Sequence, residues 1–314
     1  LQAIEDATGL ENHLKRHYSA PTETGYCLKY RPGQFTRLPN RYYTFRAGGI
    51  DFFALDSNTF NAPIPLPSTP AGDIYRRQLE QERIDLEKEM SDILAQSIRL
   101  NAKKPDEAEQ LDDLRARLEQ LEELQRDIDK QLDSKKLPTI DQEQLEWLEQ
   151  RLVQSWQNPA VRGRVIFFHH PPYVTEATKW HQAQTLAIRH NLRQVLNRVA
   201  RTVGEGLQGR PLVDLVLNGH AHCLEHLQTL DTGHADSYMD WIICGGSGFS
   251  LRRQRAEGPE LIEAMGDAAT TIAKSLLFVG RNGQGSQKHR PYSFLRIDVK
   301  AGTPPKLIVH PFVC

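Results

Sequence analysis

The 314 residues carry 39 lysines and arginines against 40 aspartates and glutamates, a formal net charge of −1, and 39% of the side chains are hydrophobic. So even a balance sets up no global field for nucleic acid or an anionic membrane, while the apolar content can fill the core of one large domain or two ordinary ones. No apolar run approaches the roughly 18–20 residues of a bilayer span, the first residues do not resemble a secretory leader, and the four cysteines are too dispersed for a disulfide framework, so a cytoplasmic location is expected.

Residues 1–40 join a polar helical pattern, AIEDATGLENHLKRHY, to chain punctuated by Pro and Gly, which predicts a helix and then irregular structure. YYTFRAGGIDFFALDSN reads as two aromatic and β-branched strands meeting at Gly48-Gly49, a hairpin. After the proline-rich NAPIPLPSTPAG the composition turns to Glu, Gln, Arg, Asp and Leu. Leu79, Leu86, Ile93 and Leu100 recur at a heptad spacing, and Leu111, Leu114, Leu118, Leu121, Ile128 and Leu132 follow a coiled-coil seam with Gln125 at its polar position. Pro105 divides the two halves. An antiparallel helical hairpin is therefore expected over residues 73–134, inserted between residues 1–72 and 135–314 of the surrounding domain. It is either a docking arm for a protein partner or self-association, or an inert excursion packed on its own seam.

DQEQLEWLEQRLVQSW is an amphipathic helix with Leu145, Leu148, Leu152 and Trp156 on one stripe. Beyond it come strand RVIFF, helix TLAIRHNLRQVLNRV, strands LVDLVLN and MDWIICGG, and later SLLFVG, YSFLRIDVK and KLIVHPF. Short runs that are apolar throughout belong to strands covered on both faces, which implies an α/β core.

Two of these runs end alike: RVIFF in His169-His170-Pro171-Pro172, and LVDLVLN in Gly219-His220-Ala221-His222. In open α/β sheets, ligands collect at the carboxyl ends of strands, so both clusters are expected at one edge. Imidazole suits Zn, Mn and Fe, and a turn after Gly219 would let neighbouring imidazoles serve two adjacent ions. A lone histidine is more often structural than a ligand; two clusters that each follow a strand shift the balance towards metal.

HHPPY followed by NGHAH, flanked by YYTFRAGGIDFFALDSN, QLEWLEQRL and IICGGSG, resembles the calcineurin-like metallophosphoesterases, the superfamily of purple acid phosphatases and cyclic-nucleotide phosphodiesterases. The resemblance covers residues 41–60 and 141–250, the last strands loosely and the helical insertion not at all. It implies a four-layer αββα sandwich, hydrolysis of a phosphomonoester or phosphodiester, and two divalent or trivalent transition-metal ions drawn from Fe, Mn, Zn or Co. By the same resemblance His169 and His220 bind one metal and His222 the other, with His170 a neighbour lining the pocket. His181 is the nearest match to a substrate-facing catalytic histidine. Glu225 and His226 are read as structural. Gly245, Gly246 and Gly248 serve either a phosphate or a tight turn, and Arg252 and Arg253 either a substrate anion or solvent.

The family's Asp-x-His, Gly-Asp-x-x-Asp and Gly-Asn-His motifs are absent; Asn12-His13 sits in the helical pattern ENHL. Two cations without a bridging carboxylate are poorly compensated. The missing motifs are expected amino-terminal to Leu1, this chain supplying the carboxyl-terminal ligands, with Asp56 or Asp214 as the acids to complete the site otherwise. The alternative is a catalytically degenerate relative that acts as a binding scaffold through the helical hairpin. An unrelated mononuclear histidine metal protein is a third reading.

Overall fold

β3 (Tyr43–Ala47) and β4 (Ile50–Ala54) form the expected hairpin, turned by Gly48 and Gly49 at φ 57° and 77°, the left-handed values that match strand twist. They are preceded by two short paired strands, β1 (Pro21–Thr22) and β2 (Gly25–Tyr26). Beyond those two strands, the computed structural model describes residues 42–248, 250–265, 268–282 and 291–314. The helix expected within residues 1–40 falls outside the described residues.

β4 pairs parallel with β5 (Gly163–Phe168), β5 with β6 (Leu215–Asn218), and β6 with β8 (Asp240–Cys244). β7 (Leu224–Thr229), β10 (Ala268–Val279) and β9 (Glu260–Met265) continue antiparallel, so the eight-stranded order is β3-β4-β5-β6-β8-β7-β10-β9. β7 and β9 go beyond the strands read from the sequence. Glu225, His226 and Gln228 interrupt the apolar run of β7, although Glu225 is fully buried.

Between β4 and β5 the chain forms three helices, α1 (Pro70–Ser97), α2 (Pro105–Asp133) and α3 (Gln142–Gln157); α4 (Ala183–Val203) follows β5. On one sheet face Leu148 and Leu152 of α3 and Ile188, Leu192 and Val195 of α4 pack with Ile166 and Trp241. On the other, a ribbon of β11 (Ser293–Val299) and β12 (Leu307–Val313) covers Ile50, Val165, Leu215, Leu224 and Ile242 through Leu295, Ile297, Leu307 and Val309. The result is a mixed α/β architecture of helices, sheet and ribbon. No helix among the described residues is long and apolar enough to cross a membrane.

The helical hairpin forms where the heptads place it. Its first helix starts three residues before the expected boundary, because Pro70 is a favoured first helical residue and Thr69 Oγ1 accepts from Gly72 N at 3.2 Å. Leu79, Leu86 and Ile93 meet Leu121 and Ile128 in a buried seam, while Leu100 lies past the end of α1 and drops out of it.

The hairpin also docks onto the body. Asp127 accepts from Ala183 N at 2.6 Å and Gln184 N at 3.2 Å. Gln182, the residue at the N-cap of α4, makes no side-chain capping bond, so a carboxylate from the hairpin satisfies those exposed N–H groups and complements the helix dipole. Arg252 donates to Ala116 O at 2.8 Å, and Arg281 pairs with Asp113. These contacts show that the hairpin packs on the body as well as on its own seam, and they give Arg252 an anchoring role.

Candidate functional site

β5 and β6 are parallel neighbours, so their carboxyl ends emerge side by side. Gly219 N donates to His169 O at 3.0 Å and ties the two histidine loops together. His169, His170 and His220 converge there: each offers a ligand nitrogen, and these nitrogens lie within 4.8 Å of one another. His220 sits at φ 61°, a left-handed conformation uncommon for a residue with a Cβ and the kind of outlier that gathers at functional sites. Gly245 passes directly beneath this turn, where a Cβ would lie 1.9 Å from Ala221 O, and at Gly246 one would lie 2.2 Å from Ser293 Oγ. Close packing thus accounts for both glycines.

A chain of hydrogen bonds positions His170. Asp141 caps α3 by accepting from Gln144 N at 3.2 Å. Gln144, fully buried, accepts from Asp56 N at 2.7 Å and donates to Thr59 Oγ1 at 2.8 Å, which fixes the loop after β4. Ser57 in that loop accepts from His170 N at 3.2 Å and meets His170 Nδ1 at 2.8 Å. When Nδ1–H donates to Ser57, Nε2 of His170 keeps its lone pair for a metal; the hydroxyl can also donate, so the contact orients the ring in either tautomer. His222 Nδ1 lies 3.2 Å from Ser250 O; a carbonyl only accepts, so Nδ1 carries the proton and Nε2 is free to ligate.

Around His220 Nε2 stand Lys179 Nζ at 3.1 Å, Gln184 Nε2 at 3.3 Å and Glu123 Oε1 at 3.4 Å. The Lys179 side chain is 3% exposed and ion-paired with Glu123. Burial opposes ionisation of Glu123, but His220 and Lys179 prevail and hold its carboxyl well below the ordinary range. Burial, then His220, His169 and Lys179, push the His170 imidazole down to about 3. Burial is also the first cause lowering His169 and His220. Neutral imidazole is the ligand form, and a set of three with a nearby carboxylate suits a transition metal.

The structure brings His169 and His220 together, as the spacing predicts, and adds His170 to them. His222 lies outside that trio, close enough for its charge to act on His169. His181 is exposed and lines a cleft between hairpin and body with Tyr75, Trp180 and Arg255. His226 pairs with Asp240 at 2.8 Å, in keeping with a structural role. Asp56 accepts from Asn58 N, and Asp214 accepts from Arg164 N at 2.7 Å and from Arg210, so both fallback acids are engaged elsewhere. Glu123, Lys179 and Gln184 are the residues the sequence reading missed; none follows a strand or belongs to a ligand-spaced motif.

No family model matches the chain, and no curated protein matches it. Among solved structures it is similar to GAP50, the anchor in the inner membrane complex of Plasmodium, at 12% identity and a TM-score of 0.29, over 81% of this chain and 55% of that one. A likeness of that size carries no argument, and the chain spans 55% of that protein's length.

Proposed function

We propose that the histidine edge belongs to a metal-dependent phosphoester hydrolase of the calcineurin-like metallophosphoesterase type. The observation that carries this reading is the convergence of His169, His170 and His220 from the carboxyl ends of two parallel strands. The ribbon β11–β12 would then be part of the second sheet of an αββα sandwich. His169, His170 and His220 would hold metal, with His222 presenting Nε2 to a second ion. When bound, the two metals supply Lewis-acid activation of the phosphoester and of the attacking water.

The chain's own residues prepare that chemistry. Ser250 O sets the His222 tautomer, Ser57 orients the His170 ring, and the α3 cap holds the Ser57 loop in place. Gln184 presents an amide donor beside His220, suited to a phosphoryl oxygen. The carboxylates of the family's missing motifs come, in this reading, from another segment. A second reading, the degenerate scaffold, draws on one observation: the buried Lys179 ammonium already contacts His220.

The test uses the natural polypeptide that carries this sequence. Two transition-metal ions per molecule and turnover of bis(p-nitrophenyl) phosphate are expected, both abolished together by His220→Ala or His222→Ala. Metal content and turnover that survive both substitutions would reject the ligand assignment, whereas metal without turnover would favour the scaffold.

A further inference from the structure

We infer that Glu123, carried by the helical hairpin, is a metal-ligating carboxylate of the histidine centre and that Lys179 is the resident cation a metal must displace. This rests on the metal reading above and extends it to the helical hairpin.

The geometry carries the first half. Ligand atoms held at about 2.0–2.2 Å from a tetrahedral metal lie roughly 3.3–3.5 Å apart. Glu123 Oε1 stands 3.4 Å from His220 Nε2, already at that spacing. The placement is enforced: Asp127, one turn further along α2, is anchored on two backbone N–H groups at the start of α4, and residues four apart share a helix face. The hairpin therefore delivers Glu123 to the histidines through a docking contact of its own.

Charge carries the second half. Lys179 Nζ touches both atoms of the pair, lying 3.1 Å from His220 Nε2 and in an ion pair with Glu123 Oε1. A dication on those same two atoms would sit within a few ångströms of a buried ammonium, a repulsion that low-dielectric surroundings enlarge. Metal and Lys179 thus compete for one carboxylate. Entry of the ion requires Lys179 to swing away. A salt bridge that merely fastens the hairpin makes a different prediction, because breaking it from either side would loosen the site and weaken any ligand.

The experiment is zinc titration by calorimetry on the natural polypeptide, with thermal unfolding recorded for each variant. Glu123→Gln is expected to weaken zinc binding by about tenfold or more, and Lys179→Met to strengthen it by a similar factor. Lys179→Gln, closer in hydrogen bonding, serves where the methionine variant folds poorly. Opposite signs from the two sides support the inference; equal signs, or no change from wild type, overturn it. His220→Ala separates the two levels of the argument. If it abolishes binding while the Glu123 and Lys179 variants match wild type, only the inference fails; if it changes nothing, the metal reading fails as well. Zinc binding that appears only once Lys179 is replaced supports the inference, and no binding by either protein overturns both.

Discussion

The second helix of the hairpin and the interior of β7 each carry a glutamate, Glu123 half-buried and Glu225 fully buried, and the two carboxyls shift in opposite directions. Burial is the largest influence on both. At Glu123 the His220 bond and the Lys179 charge overcome it, and the carboxyl falls well below its usual range. Glu225 receives Thr175 N at 3.1 Å and the Thr175 hydroxyl, but these neutral donors do not offset burial and the nearby Glu176, and the carboxyl is pushed up to about 7. Charged partners at the half-buried Glu123, against neutral ones at the fully buried Glu225, separate a glutamate that ionises readily from one that resists. The same difference also separates two ways of joining elements: the hairpin is pinned to the body by ions, whereas β7 is built into the sheet by its ladder and neutral contacts.

Removing the ion pair from one side is the harshest way to break this contrast. Glu123→Ala leaves the buried Lys179 ammonium without its carboxylate and is expected to cost about 3 kcal/mol in urea unfolding. The double variant Glu123→Ala/Lys179→Met should recover most of that loss. Equal stability of the single variant and wild type would show that this contact of the hairpin is not held by charge.

The pH dependence sharpens the other half. The Glu225 carboxyl rises from an ordinary value of 4.5 to about 7 in the folded protein, so between these values the unfolded chain releases its proton first and gains relative stability. Wild-type stability should therefore fall by on the order of 3 kcal/mol as pH rises through that window, and level off above it. Glu225→Gln should flatten most of the slope, leaving a remainder from Glu176, which burial also raises. Parallel pH profiles for the two proteins would assign the slope elsewhere.

The smallest effect tests the hairpin's second anchor. Asp127→Ala should cost about 1 kcal/mol, the usual size of a lost helix cap, and should speed hydrogen exchange at Ala183 and Gln184 ahead of the rest of α4. Asp127→Asn should retain most of the stability, since its amide oxygen still accepts from those N–H groups. Unchanged exchange at both positions would mean that α4 is capped by something other than the hairpin.

The sequence by itself determined the elements with strong local period: the heptads of α1 and α2, the stripe of α3, the Gly-Gly hairpin and the apolar runs of β5, β6 and β8. It also placed His169 and His220 at strand ends, since a strand and the residues after it are written consecutively. The tertiary structure decided the rest. His170 joins the cluster because a buried Gln144 fixes a loop that follows a different strand, and β7 tolerates Glu225 because Thr175 reaches it from a distant turn. Glu123 looks like one more surface acid on a coiled coil until α2 lies across α4. Periodicity is carried by neighbours in the chain, whereas a Coulomb contact depends on distance in space, and no pattern along α2 records that Lys179 and His220 will stand beside it.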